Sequence, residues 1–179
     1  MNSPPLAPYI REHFARAAET FHASLRPEGY IPLCIAENHR RTDVLLALLH
    51  GYLDRVDPST LGYDAMVGNV GFRENLAAYL SRAMFGRKFT ADQLVVLAGA
   101  GTVLEQLFFA IADPGDTVLV PTPSYAGFWA DLETRDELRI QTFARSAADD
   151  YALTEEILDR AWNEATSPVR ALLFTSPDN

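Results

Sequence analysis

The sequence has few of the residues that carry covalent or metal chemistry. Cys34 is the only cysteine, so no internal disulfide can form, and its apolar neighbours predict a buried core thiol rather than a nucleophile. The four histidines lack the paired spacing of a zinc site, so no metal is predicted. Lys88 is the only lysine, and its connecting segment predicts a solvated side chain.

Long apolar runs and clustered positive charge are also absent. No stretch reaches the roughly 18 apolar residues of a membrane span, and the amino terminus has no basic segment followed by an apolar one, so we expect a cytoplasmic protein. A formal net charge of −9 argues against nucleic acid and anionic membrane as partners. The 179 residues, 48% of them hydrophobic, predict one globular unit that binds small molecules.

The first ninety residues are predicted to be mainly helical. Apolar residues at helical spacing predict helices over residues 5–24 and 71–85, and Thr42 is placed to cap a third helix between them. A short apolar run predicts a strand over Ile31–Ile35. We therefore treat residues 1–90 as an amino-terminal helical segment.

Residues 91–179 alternate apolar strands with helices. Strands are predicted in four segments, which are LVVLAG, TVLVP, LRIQTF and RALLFT. Such alternation predicts right-handed βαβ units on a mostly parallel sheet, whose ligands gather at the carboxyl ends of the strands. The predicted fold class is α/β, with residues 1–90 helical and residues 91–179 forming the first part of the sheet.

A turn of small residues follows the first predicted strand. Gly99, Ala100 and Gly101 precede a helix, where free backbone amides and the positive helix end can surround a phosphate. A tight connection that merely needs glycine would look the same. A nicotinamide dinucleotide site is a weaker reading, because Leu104 stands at the third glycine position and no acid ends the second strand.

Two further strand ends carry residues suited to an aromatic ligand. Tyr125 follows the second strand and can lie flat against a ring, although a core tyrosine is an equal alternative. Asn179 follows the last strand, and its amide can bond a ring hydroxyl. A phosphate cradle, a stacking ring and a polar ring contact together describe a phosphorylated aromatic cofactor, which pyridoxal 5′-phosphate fits.

Three segments resemble a known family. GYDAMVGNVGFREN, VLAGAGTVLEQLFFAIADPGD and VPTPSYAGF resemble the fold-type I pyridoxal phosphate enzymes, the class I and II aminotransferases and especially their 1-aminocyclopropane-1-carboxylate synthase-like branch. The resemblance runs from about residue 30 to residue 179. It implies that the sheet is the first part of the cofactor-binding large domain.

The resemblance also implies roles for the residues at the strand ends. The turn at Gly99 would hold the cofactor phosphate with the amides of Ala100 and Gly101. Tyr125 would stack on the pyridine ring, and Asn179 would contact the ring hydroxyl. No residue of this chain is assigned a catalytic role.

Two residues of the helical segment match the family more weakly. Tyr63, five residues before Gly68, matches a tyrosine that reaches the phosphate of the neighbouring subunit, which implies a dimer contact in residues 1–90; a packed loop tyrosine is the alternative. Glu37 matches an acid near the substrate in the synthase branch; a solvated loop acid is the alternative.

The family's remaining groups fall beyond Asn179. These are the aspartate at the pyridine nitrogen, the Schiff-base lysine and the arginine that binds the substrate carboxylate, and Lys88 matches none of them. The resemblance implies that this chain alone is inactive. We expect it to need a complementary carboxyl-terminal-half subunit that carries the Schiff-base lysine, in a dimer of such pairs.

Three hypotheses about function follow. The first is half of a split enzyme that acts on an amino acid by transamination or elimination. The second is a non-catalytic binding or assembly module that retains the cofactor pocket. The third and most distant is a fragment of a nicotinamide oxidoreductase.

Overall fold

The structure is a computed structural model that describes residues 8–177, so Asn179 lies outside the described residues. The chain divides into two compact units, Met1–Tyr63 and Asp64–Asn179. The division into residues 1–90 and 91–179 stays a prediction.

The described part of the first unit, residues 8–63, contains two α-helices. Helix α1 spans Pro8–Arg16 and helix α2 spans Thr42–Leu53. The prediction of one helix over residues 5–24 is wrong at its carboxyl end. After a 3₁₀ turn that ends at Glu19, the backbone N–H of Phe21 donates to the carbonyl of Tyr30 at 2.9 Å. This pairing satisfies backbone groups that a longer helix would have used.

The predicted strand over Ile31–Ile35 does not form. Only an isolated bridge between Thr20 and Tyr30 lies beside it, and a strand needs a continuous ladder with a neighbour. The prediction that Cys34 is a buried core thiol is also wrong, because Cys34 lies in a bend and is exposed.

Thr42 does not cap α2 as predicted. It is the first helical residue, and its hydroxyl donates to the carbonyl of His39 at 3.2 Å. A 3₁₀ turn over His39–Arg41 leads directly into α2, so the capping position falls on Arg41, whose side chain makes no capping bond.

The second unit begins with helix α3, Val70–Tyr79, which continues as a π-helical turn over Leu80–Met84. The side-chain oxygen of Asn69 accepts a hydrogen bond from the backbone N–H of Phe72 at 2.9 Å, which satisfies a donor that the first turn leaves unpaired. The predicted helix over residues 71–85 is confirmed within one residue at each end.

A three-stranded parallel sheet with its helices forms the rest of the second unit. The elements follow in chain order as α4 (Ala100–Ile111), β1 (Thr117–Thr122), α5 (Phe128–Glu133), β2 (Arg139–Ala144), α6 (Glu155–Asn163) and β3 (Val169–Leu172). The strand order is β2-β1-β3, and Thr117 lies opposite both Arg139 and Val169. The predicted α/β class with a parallel sheet is confirmed.

The strand predicted in LVVLAG, residues 94–99, is not part of this sheet. The N–H of Val96 donates to the carbonyl of Val67 at 3.1 Å, and Val95 is 64% exposed. Because β1 already pairs with β2 on one side and β3 on the other, the segment has no free edge of the central strand to join. The predicted strand over residues 94–99 does not form.

The core lies on both faces of the sheet. Val118 and Val120 point to one face, where they pack with residues of α4 and α5, including Phe108 and Leu132. Leu119 points to the other face and packs with residues of β2 and α6. Since β1 is buried on both faces, its sequence is a continuous apolar run rather than an alternating one.

The helices are short. Helices α2 and α4 have 12 residues each, about 18 Å at 1.5 Å per residue. Among residues 8–177, no helix is both long and apolar enough to cross a bilayer.

Candidate functional site

The amino terminus of α4 is open to a ligand. Gly99 precedes the helix with φ of +89°, a conformation that glycine adopts without the clash of a side chain. No side chain caps the helix, and an added Cβ at Gly99 would meet nothing within 4 Å. The first backbone amides of α4, which include those of Ala100 and Gly101, therefore face space that an anion can occupy.

The topology brings Tyr125 to the same end of the sheet. Helix α4 runs back along the sheet before β1, so its amino terminus lies toward the carboxyl end of β1. Tyr125 follows that end by three residues and leads into α5. Asp131 of α5 also lies against Gly101, since an added Cβ there would be 3.0 Å from the Asp131 carboxylate.

The Tyr125 ring packs against the Gly127 backbone on one side and is partly exposed. An added Cβ at Gly127 would lie 2.5 Å from Tyr125 Cζ and closer still to Cε1, so the ring rests directly on the Gly127 backbone. The ring of Phe128 meets it edge-on, with 5.3 Å between centroids. Tyr125 is 46% exposed, so part of the ring is free to stack on an aromatic ligand.

A group of acidic residues surrounds the contact between α4 and α5. Burial, and secondarily the charge of Glu105, raises the pKa of Asp131 above its ordinary value. Glu105 is itself paired with Arg135, at 2.6 Å between Oε1 and Nη1. Sequence reasoning missed both Asp131 and Gly127, because each gains its role from a contact between elements. The only local signal was the glycine two residues after Tyr125.

Tyr63 is the last residue of the first unit and is fully exposed. The loop that follows it, in the second unit, is held by side chains. Asp64 accepts hydrogen bonds from the Asn69 amide at 2.6 Å and from the backbone N–H of Ala65 at 2.7 Å. These bonds lower the pKa of Asp64, the Asn69 bond most. The predicted reach of Tyr63 to a neighbouring subunit stays a prediction.

Glu37 also belongs to the first unit. Its carboxylate lies 3.1 Å from Nε2 of His39, and both side chains are exposed. The two residues line an open depression of about 560 Å³ formed by residues 35–40. The predicted contact of Glu37 with substrate stays a prediction.

Neither a metal centre nor a buried lysine appears in the part of the chain that the structure describes. No group of three His, Cys, Asp or Glu residues within 8–177 is arranged to hold a metal ion. Lys88 is exposed between the π-helical turn and a 3₁₀ turn over Ala91–Gln93.

The residues at this end of the sheet fit pyridoxal 5′-phosphate. The uncapped amino terminus of α4 offers N–H donors and a partial positive charge to a phosphate dianion. The supported, half-exposed ring of Tyr125 offers a flat surface to a pyridine ring. Gly99, Ala100 and Gly101 form the turn into α4, and Tyr125 follows β1. Their predicted contacts with the cofactor stay predictions, and Asn179 lies outside the described residues.

Comparison with known proteins finds relatives among the 1-aminocyclopropane-1-carboxylate synthases. 1-Aminocyclopropane-1-carboxylate synthase 5 of Oryza sativa subsp. japonica is 32% identical, aligned over 97% of this chain and 35% of its own length. Synthase 7 of Arabidopsis thaliana is 31% identical over 97% of this chain and 42% of its own length. The chain therefore spans well under half the length of these curated relatives.

Solved structures show the same fold. Aspartate aminotransferase from Thermus thermophilus, with maleate, matches with a TM-score of 0.57 and 26% identity over 75% of this chain and 32% of its own. An aromatic aminotransferase from Pyrococcus horikoshii OT3 has a TM-score of 0.63 at 22% identity over 77% and 35%, a likeness of fold alone. The expected fold type I is confirmed.

The family model described as aminotransferase class I and II matches residues 30–179, which is most of the chain. Enzymes of this family depend on pyridoxal phosphate. The resemblance first seen in three sequence segments is confirmed, and the chain belongs to the class I and II aminotransferase family.

Proposed function

We propose that this chain supplies the phosphate-binding and ring-stacking half of a pyridoxal phosphate enzyme that acts on an amino acid by transamination or by elimination of the synthase type. The observation that carries the proposal is the uncapped amino terminus of α4 together with the partly exposed ring of Tyr125, which follows β1 of the parallel sheet. Relatives named as synthases and as aminotransferases support both reactions.

Each residue in the proposal has a distinct task. The amides that follow Gly99 bind the phosphate, and Tyr125 stacks on the pyridine ring and fixes its position. Asn179 contacts the ring hydroxyl, Glu37 lies at the substrate, and Tyr63 reaches the phosphate of a neighbouring subunit. When bound, pyridoxal phosphate supplies an electron sink for bonds at the amino-acid Cα. This chain's residues fix the geometry in which that sink acts.

The Schiff-base lysine belongs, in this proposal, to a complementary carboxyl-terminal-half subunit. Support comes from the exposed position of Lys88, which does not place its amine in an enclosed cofactor site. Two such pairs form the complete enzyme. A cytoplasmic location is part of the same proposal, and cell fractionation tests it.

The test is reduction of the cofactor onto its lysine. The chain is purified alone and after co-expression with a candidate carboxyl-terminal half, loaded with pyridoxal phosphate, reduced with borohydride and digested for mass spectrometry. We expect a pyridoxyl group on a lysine outside residues 1–179, and only in the co-expressed sample. A pyridoxyl group on Lys88 that supports turnover would contradict the proposal.

The Lys88→Arg variant is the matched control, because it keeps the charge and removes the amine that forms a Schiff base. Turnover of an amino acid by the complex should not change in this variant. A different result is that the chain binds the cofactor and each lysine-bearing candidate without any turnover of an amino acid. That result would establish the non-catalytic binding or assembly module.

A further inference from the structure

Asp131 makes an unusually close approach to α4. Its carboxylate occupies the space that a side chain at position 101 would fill, since an added Cβ would lie 3.0 Å from Oδ1 and 3.7 Å from Cγ. Contacts of 3.0–3.4 Å are tighter than most real Cβ contacts, so a larger residue at 101 would force the carboxylate to shift. Gly101 and Asp131 are therefore a matched pair.

Gly101 lies in the first turn of α4, where the phosphate is proposed to bind, and Asp131 of α5 contacts it there. The positive end of a helix dipole is concentrated in that turn, so a carboxylate there and a bound phosphate draw on the same partial charge. Two anions near one helix end also repel each other. The position of Asp131 thus opposes the binding of a phosphate dianion.

The neighbouring charges do not neutralise Asp131. Glu105 lies one turn further along α4 and is paired with Arg135, which follows α5. Asp136, in the same segment, is 7% exposed, and its Oδ2 is buried without a hydrogen-bond partner. The pKa of Asp136 is raised, first by burial and then by Glu105. Three carboxylates and one guanidinium leave a net negative charge around the contact between α4 and α5.

We propose that Asp131 is a positioning residue that sets the anion affinity of the α4 amino terminus. Its contact with Gly101 fixes the first turn, and its negative charge keeps phosphate binding weaker than the helix end alone would give. This inference rests on the proposed function, because the anion in question is the cofactor's phosphate.

The first experiment measures affinity for pyridoxamine 5′-phosphate, which carries the phosphate and ring but forms no Schiff base with lysine. Calorimetric titration of the full chain is compared with that of Asp131→Asn, which removes the charge and keeps the shape. We expect roughly tenfold tighter binding in D131N, from removal of one negative charge near a dianion. Glu133→Gln makes the same charge change on an exposed position of α5 and should bind like the unaltered chain.

Titration with pyridoxamine, which lacks the phosphate, separates charge from structure. If Asp131 acts on the phosphate, D131N should not change the affinity for pyridoxamine. Equal tightening for both ligands would overturn the inference, because it would show a general change in the site. Equal or weaker binding of the phosphorylated ligand in D131N would overturn it while the proposed function stands. If neither protein binds that ligand, either alone or co-expressed with the complementary half, the proposed function fails, and this inference fails with it.

The contact itself is tested without any ligand. Gly101→Ala is introduced into the unaltered chain and into Asp131→Ala, and thermal unfolding midpoints are compared. We expect the alanine to lower the midpoint in the unaltered chain and to lower it less, or raise it, when the carboxylate is gone. Equal shifts in the two backgrounds would show that Asp131 does not occupy the space beside Gly101.

Discussion

Gly127 determines where the Tyr125 ring lies. Because an added Cβ would overlap the ring, Gly127→Ala should push Tyr125 away from its present position and cost about 1–3 kcal/mol in the free energy of unfolding. The same variant should weaken binding of pyridoxamine 5′-phosphate without touching the ligand. Calorimetric titration and chemical denaturation give the two values.

Gly51→Ala is the control for this substitution. Gly51 lies within α2, and an added Cβ there meets nothing within 4 Å. Alanine has the higher helix propensity, so G51A should raise the free energy of unfolding by up to about 1 kcal/mol. Destabilisation of both variants by the same amount would contradict the claimed contact between Gly127 and Tyr125.

Removal of the Tyr125 ring should weaken cofactor binding. Aromatic stacking contributes about 0.5–1.5 kcal/mol beyond the buried area, so Tyr125→Ala should raise the dissociation constant for pyridoxamine 5′-phosphate by roughly 2- to 10-fold or more. Tyr125→Phe keeps the ring and should stay within about twofold of the unaltered chain. Loss of affinity in Y125F equal to that in Y125A would show that the hydroxyl, not the ring, makes the contact.

Among single residues, the sequence predicted those that belong to a local motif. The turn at Gly99 and the tyrosine after β1 are visible because both depend on their neighbours in the chain. Asp131 was not predicted, since its meaning comes from Gly101, thirty positions away in sequence and in contact in space. A lone aspartate in a short helix gives no sign of that contact.

Among the elements, Asp116 joins the starts of β1 and β3. It is 5% exposed, and its Oδ2 accepts hydrogen bonds from the Asp113 N–H at 3.0 Å and from Arg170 Nε at 2.8 Å. The Asp113 N–H first, and Arg170 second, hold the pKa of Asp116 below its ordinary value of 3.8. A lowered pKa means that the ionised carboxylate stabilises the folded chain.

The pH dependence of stability follows from that direction. The contribution of Asp116 is fully present above its unfolded pKa near 3.8 and is lost as pH falls through the lower folded value. Thermal midpoints measured between neutral pH and about pH 3 should therefore fall less in Asp116→Asn than in the unaltered chain. Asp113→Asn keeps the backbone donor and removes only an exposed carboxylate 4.0 Å from Arg170 Nη2, so it should retain most of the acid sensitivity. Identical acid profiles for D116N and the unaltered chain would contradict the assignment.

Leu132 of α5 tests the core between the helices and the sheet. It is fully buried among residues of α4, α5 and β1. Leu132→Ala should lower the free energy of unfolding by about 2–5 kcal/mol, because it removes buried apolar contacts and leaves a cavity. Leu61→Ala, at a position that is 87% exposed, should cost less than about 0.5 kcal/mol. Chemical denaturation measures both.

Three of the five predicted strands match β1, β2 and β3 within three residues at each end, whereas the other two do not form, and the difference has a physical reason. A helix satisfies its backbone hydrogen bonds within one segment, so local spacing predicted α3 and the π-helical turn after it within one residue at each end. Side-chain capping is equally local, and the Thr154 hydroxyl accepts from the N–H of Ile157 at the start of α6. A strand needs a neighbouring strand to hydrogen-bond with. The segments at 31–35 and 94–99 have the composition of strands but lack such a neighbour, so they do not form strands.

Across the whole molecule, the two units differ in how much apolar surface they bury. Every buried hydrophobic residue among those described lies in the second unit. Helix α2 is rich in leucine, yet its large apolar side chains are between 44% and 61% exposed, and these are Val44, Leu45, Leu46, Leu48, Leu49, Tyr52 and Leu53. Composition predicted a single core for the chain but could not show that one helix would contribute nothing to it.

Exposed apolar surface on that scale favours association, and α2 offers a direct test. Substituting Leu45 and Leu49 with Gln removes part of the surface, and both positions are more than half exposed. We expect the free energy of unfolding to change by no more than about 0.5 kcal/mol per site, while sedimentation velocity shows less association at high concentration. His50→Gln on the same helix removes no apolar surface and should associate like the unaltered chain. A loss of 2 kcal/mol or more per leucine, on the order expected for core positions, would instead show that these side chains are buried against something in solution.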